Sequence, residues 1–329
     1  MRGAVRTDKQ RHRQQFLRLL LSALLFPLLI ACTSDPQPPL RLGTNVWPGY
    51  EPLYLARDLG YFDDHRITLV EYPSASEVMR AFRNRSLEVA ALTLDEALLL
   101  REAEIPIKVF LVTDVSHGAD VILARRGIDS VDALRGRRIG VETTALGALM
   151  LTRALALHGM TVDDVEVVDL QVSEHETAFL EERVDAVVTF DPVRSRLIDS
   201  ANAVEVFSSR EIPNEVVDVL VIHAAALERT PATVQALVDG WFRALDHMQT
   251  SPQSAAQLMA ARLKLSPEAV LASYRDLVLP DRRHNRSMLD AEDGTLYATA
   301  ERLESVLLDW QLLKGHVDTD DLLTHRFVD

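Results

Sequence analysis

Cysteine is almost missing from this chain: Cys32 is the only one in 329 residues. Internal disulfides are therefore excluded, and stability has to come from an ordinary hydrophobic core. Basic residues are scarce relative to acids, 35 Lys and Arg against 49 Asp and Glu, for a net charge of −14. Nucleic acid and anionic lipid surfaces demand clustered Lys and Arg, so neither is expected as a partner. A long apolar run is missing too. The stretch 19–31 is shorter than the ~18–20 residues a spanning helix needs, and it contains Pro27. There is no G-x-S-x-G elbow, P-loop or G-x-G-x-x-G, and His175-Glu176 is not followed by a second histidine at metal-ligand spacing. The ten histidines are scattered; His117 falls in a crossing loop and reads better as structural or solvent-facing. Enzymatic activity, a bound metal and a cofactor are therefore not expected.

What the chain does have begins at the N-terminus. Arg2, Arg6, Lys9, Arg11, Arg13 and Arg18 precede the apolar stretch, and Leu29-Ile30-Ala31-Cys32 follows the lipobox pattern, in which the cysteine after the cut is acylated. Residues 1–31 read as a lipoprotein signal peptide and 32–39, rich in proline, as a tether. Removing residues 1–31, with six bases and one acid, takes the net charge from −14 to −19. The expected location is the periplasmic side of the cell envelope, anchored by lipid on Cys32. Thr33, where an aspartate would favour inner-membrane retention, leaves the choice of membrane open.

From Leu40 onward short apolar runs alternate with amphipathic stretches, the pattern of an α/β architecture with mainly parallel sheets. Strands are expected at 40–44, 67–71, 89–92, 108–115, 121–124, 138–141, 165–169, 186–190, 203–207 and 217–223, with helices between most of them. After residue 225 the periodicity is helical almost throughout, opened by Thr230-Pro and Ser266-Pro-Glu. The small helix and glycine turn at 128–141 read as the opening of a second sheet. This divides the chain into lobe 1 (40–126 plus 220–329) and lobe 2 (127–219), with hinge crossings at 124–127 and 219–223.

The run Leu42-Gly-Thr-Asn-Val-Trp-Pro-Gly-Tyr50, its continuation to Gly60-Tyr-Phe62, Ser74-Ala-Ser76, and Leu134-Arg-Gly-Arg-Arg-Ile-Gly-Val141 together resemble type II periplasmic solute-binding proteins. The similar group serves nitrate, sulfonate, taurine and thiamine-precursor ABC importers. The resemblance implies a two-lobed fold, each lobe a sheet flanked by helices, with a helical C-terminal tail. It also implies a monomer that closes on a small molecule and delivers it to an ABC permease. The same cleft would serve a ligand-sensing module docking on a membrane receptor or signalling enzyme.

In such lobes ligands sit at the carboxyl ends of parallel strands. Loops at those ends hold the candidates Trp47, Tyr50, Ser74, Ser76, Asp95, Asp114, Thr143, Thr144, Glu174 and Asp191, with Glu142 and Glu215 in the same acidic set. Trp47 and Tyr50 either wall the ligand or cover the edge of the core. The serines and threonines either touch ligand or cap helices, and the two roles are compatible. Each acid, taken singly, is as readily a cap or a solvated group. None of these loops contains Lys or Arg, so a buried anion is disfavoured and an amine-bearing or neutral heterocyclic solute fits better.

Overall fold

All ten expected strands form, and they distribute over two sheets. The computed structural model describes residues 39–62, 66–143, 146–290 and 294–329; residues 39–329 make one compact unit. The expected signal segment, Cys32, the tether up to residue 38, and Thr144 lie outside the described residues. Among the described residues no helix is long and apolar enough to cross a membrane.

The first sheet contains β1 (Leu40–Thr44), β2 (Ile67–Glu71), β3 (Val89–Thr93), β4 (Ile107–Ser116), β10 (Val217–His223) and the two-residue β11 (Leu277–Val278), in the order β11-β4-β10-β3-β1-β2. The second contains β5 (Val121–Ala124), β6 (Arg138–Val141), β7 (Glu166–Asp169), β8 (Ala186–Thr189) and β9 (Val204–Ser208), in the order β7-β6-β8-β5-β9. In each sheet one inner strand is reversed. β10 is antiparallel to β3 and β4, and β5 is antiparallel to β8 and β9. The strands β1 to β4 share one direction and β6 to β9 another, so the mainly parallel character holds by direction, although five of the nine ladders are antiparallel.

The reversed strands are those by which the chain enters each sheet from the other. This corrects the expected crossings. β5 was expected to belong to the first lobe, but it pairs in the second sheet, so the chain passes between sheets at residues 117–120 and 209–216 rather than 124–127 and 219–223. A short wholly apolar strand carries no mark of which sheet it joins, and the conspicuous turn at Gly127 (φ +94°) lies one strand too late.

After β1, β2 and β3 the chain turns into α1 (Glu51–Asp58), α2 (Ala75–Arg83) and α3 (Leu94–Glu102); after β6, β7 and β8 it turns into α4 (Leu146–Leu157), α5 (Val172–Leu180) and α6 (Val193–Ala201). Strand carboxyl ends therefore lead directly to helix N-termini, which is where this fold places a cleft. The second sheet is buried on both faces. Val121 and Leu123 pack with Phe179 and Leu197 on one side, and Ile122 and Ala124 with Met150 and Leu155 on the other. The rest of the chain is α7 (Ala224–Arg229), α8 (Pro231–Thr250), α9 (Pro252–Leu263), α10 (Pro267–Ser273), α11 (Arg282–Leu289) and α12 (Thr295–Asp309). Val234, Trp241, Ala256 and Leu303 join this tail to the core of the first sheet.

One ion pair ties the tail to the start of the fold. Arg262 on α9 donates to the fully buried Glu51 at 2.9 Å, bonds Glu71 at the end of β2, and lies 3.4 Å over the Tyr54 ring. Burial pushes the Glu51 carboxyl up to about 7, and Arg262 opposes the shift. Arg262→Ala is expected to lower unfolding stability in urea by about 3–5 kcal/mol, because it strands a buried carboxylate. Glu51→Gln in that background should recover part of the loss.

Candidate functional site

The site grows from a row of side chains across three neighbouring strands. Asp218 in β10 stands opposite Thr93 in β3 and opposite Asp114 in β4. Two carboxylates in directly paired positions repel each other unless protons or cations neutralise them. The loop after β1 supplies donors: Tyr50 Oη donates to Asp218 and Trp47 Nε1 donates to Asp114 at 3.3 Å. The loop can approach this closely because residue 49 is glycine. A Cβ there would lie 2.0 Å from Asp114 Oδ2 and 2.3 Å from Trp47 Nε1.

These groups border a small pocket, about 40 Å³ inside, at the carboxyl ends of the parallel strands. The first sheet and its loops contribute Asn45, Trp47, Tyr50, Thr93, Glu96 and Asp218, and Asp120 comes from the first crossing. The second contributes Glu142, Leu146, Met150, His175, Thr189 and Phe190. Trp47 meets Phe190 edge to face across the opening, with ring centroids 5.0 Å apart.

The lining is acidic, with Glu96, Asp120, Glu142 and Asp218 among its residues. Asp120 Oδ2, Asp218 Oδ2, Thr189 Oγ1 and His175 Nδ1 are buried without a hydrogen-bond partner, and so are Asp95 Oδ1 and Asp114 Oδ1 close by. The His175 ring faces the Leu170 carbonyl with Nε2 at 3.2 Å, so Nε2 donates and Nδ1 is left as an acceptor. Burial lowers the ring to about 4, which keeps it neutral. Burial raises the acids: Asp95 to about 6, Asp114 and Asp120 to about 7, Glu96 to about 8, and Asp218 well above the usual carboxylate range with Asp114 as the next cause. Neither Lys nor Arg is among the lining residues. Arg194, which lowers Asp120 slightly, is engaged by the Gly118 carbonyl, Asp276 and Glu205.

The sequence candidates separate into groups. Trp47 and Tyr50 line the pocket and also belong to the first core. Asp114 sits directly behind them. Ser74, Glu174 and Asp191 act at helix starts: Ser74 Oγ accepts from Glu77 N, Glu174 from Gln171 N, and Asp191 from both Ser195 N and Ser195 Oγ. None of the three lines the pocket. Ser76, Asp95 and Thr143 border a separate groove beside α2, α3 and α4, where Thr143 Oγ1 donates to Asp169 at 2.7 Å. Glu142 lines the pocket, whereas Glu215 is paired with Arg153 at 2.6 Å. His117 is exposed, as expected. Glu96, Asp120 and Asp218 are not among the sequence candidates, and His175 enters there only as a metal ligand that its spacing excludes. For Asp218 a signal existed, a lone acid inside a strand that is otherwise apolar from Val217 to Ile222.

The sequence profile of the NMT1-like family matches residues 33–264. The chain belongs to the NMT1-like family. A relative from Brucella abortus, named as a binding protein, is 24% identical over 277 residues, covering 78% of this chain and 82% of its own. The alkanesulfonate-binding protein SsuA from Xanthomonas axonopodis pv. citri, solved bound to MOPS, superposes with a TM-score of 0.75 at 18% identity, covering 86% of this chain and 97% of that one. The desulfurization enzyme DSZB superposes with a TM-score of 0.65 at 20% identity, covering 89% and 98%. The two-sheet α/β architecture of this NMT1-like chain is thus that of type II periplasmic binding proteins.

The raised carboxyls make stability depend on pH in a defined direction. Each binds a proton in the folded state that the unfolded chain has released above about pH 4, so its contribution is full at low pH and is lost as pH rises through 6–8. His175 and His223, both lowered, oppose this below about pH 6.5. The melting temperature of the ligand-free protein is therefore expected to rise from pH 8 to pH 6.5. Asp218→Asn should flatten that rise, and scanning calorimetry at the two pH values checks both.

Proposed function

We propose that this NMT1-like chain is a lipid-anchored solute-binding protein on the periplasmic side of the envelope. It captures a small organic cation rich in N–H donors between its two lobes and delivers it to an ABC permease. The observation that carries the reading is the pair of buried, unpartnered carboxyl oxygens, Asp120 Oδ2 and Asp218 Oδ2, in a pocket with no basic lining residue. An ammonium or guanidinium satisfies Asp120 and Asp218 together, since a cation within a few ångströms favours their charged forms. The Trp47 and Phe190 rings supply an aromatic wall, and Trp47 a face for a cation. His175 Nδ1 and Thr189 Oγ1 accept from the solute's remaining donors. Lobes 40–116 with 217–329, and 121–208, would close about the two crossings.

DSZB shows that the fold also hosts an enzyme. Binding is the better reading here because no cysteine or serine lines the pocket and no group of three or more His, Cys, Asp or Glu suited to a metal occurs among the described residues. SsuA was solved with a sulfonate, MOPS; the acidic lining of this chain opposes an anion in that place.

A thermal-shift panel of agmatine, putrescine, guanidine and alkanesulfonates tests the ligand class. A cation at about 100 times its Kd is expected to add about 2.7 kcal/mol to stability. Binding of a sulfonate and of no cation overturns the reading. For the anchor, Cys32→Ser should move the protein from the membrane fraction to the soluble periplasmic fraction, and its persistence on membranes would refute lipidation at that residue.

A further inference from the structure

Two carboxylates cross the cleft in opposite senses. Glu142 follows β6 of the second sheet, yet its Oε1 accepts from the backbone N–H of Ser76, in the first turn of α2 on the first sheet, at 2.9 Å. Glu96 belongs to α3 on the first sheet, yet its Oε1 accepts from the backbone N–H of Leu146, the first residue of α4 on the second, at 3.3 Å. Its other oxygen accepts from Thr93 N at 2.9 Å, so the carboxylate is held at both ends. Both glutamates line the pocket and are almost fully buried. Leu146 packs against the cores of both halves, so the start of α4 is seated between them. At Gly147 a Cβ would lie 2.9 Å from the Glu142 carbonyl, so a side chain there would disturb this seat.

We propose that Glu96 and Glu142 form a reciprocal latch that stands in for an anionic solute. A helix N-terminus opening on a cleft is a ready anion site, because its N–H groups lack partners and its dipole favours negative charge. Here each half fills the other half's helix N-terminus with a carboxyl oxygen that accepts from a backbone N–H. The two glutamates thereby hold the halves together across the cleft and bar anions from it, which makes them specificity-determining residues. The inference rests on the pocket being a solute cleft, and it accounts for how a fold shared with a sulfonate-binding protein excludes sulfonates.

The test uses methanesulfonate, a probe small enough for the vacated space, and isothermal titration of the full protein and its variants. Glu96→Ala with Glu142→Ala empties both positions, and the Gln pair keeps an acceptor at each while excluding any ionised form. The alanine pair is expected to bind methanesulfonate about tenfold or more tighter than the wild type, with the Gln pair between them. Circular dichroism identifies any variant that fails to fold, in which case Glu142→Gln alone is expected to show the gain. A folded variant with affinity equal to the wild type overturns the latch. The cation reading is judged separately, on the wild type. Should the wild type itself bind methanesulfonate, that reading fails, while the latch still stands or falls on whether the substitutions tighten the binding.

Discussion

Burying several carboxyl groups side by side is the constraint around which this structure is arranged. Asp218 lies between Thr93 and Asp114 on adjacent strands, and neither acid can be ionised there at ordinary cost. The Tyr50 hydroxyl, the Trp47 indole and shared protons offset part of that cost, and part is left standing as unpartnered oxygens. The remainder is available to a ligand, since a solute that satisfies those atoms recovers in binding what folding had to forgo. The strained chemistry of the pocket and its affinity are therefore two aspects of one arrangement.

Topology puts the acids where they matter. β5 and β10 each begin at the cleft, because each is entered from the other sheet, and each runs against its neighbours. A reversed strand places its first residues level with the last residues of the strands beside it. Asp218, second in β10, thus meets Thr93, last in β3. The crossing before β5 brings Asp120 to the same level. Stability outside the cleft is conventional by contrast: apolar packing on both faces of the second sheet, and a helical tail fixed to the first by its core and by Arg262 on Glu51.

Across the cleft, carboxylates and helix N-termini are exchanged between the halves. Glu142 engages the Ser76 N–H of α2, and Glu96 the Leu146 N–H of α4. Among the pocket atoms left unpartnered are carboxyl oxygens, threonine hydroxyls and the His175 Nδ1, beside the Trp47 and Phe190 rings. The proposed preference for a cation rests in part on which donors the chain has already used.

The α/β alternation, the ten strands, the helices that follow them and the aromatic loop were legible in the sequence, because periodicity and turn chemistry are local properties. Trp47 and Tyr50 could be found for the same reason, as large rings in a Pro-Gly loop. Ser74, Glu174 and Asp191 could not be assigned, since an acid or hydroxyl before a helix looks the same in sequence whether it caps the helix or faces a ligand. The sheet that β5 joins, the row Thr93–Asp218–Asp114, the turn of His175 toward the pocket and the exchange between Glu96 and Glu142 were decided only by the tertiary structure. Each depends on strand register or on residues tens to more than a hundred positions apart, and no local pattern encodes which distant partner a buried polar group will meet.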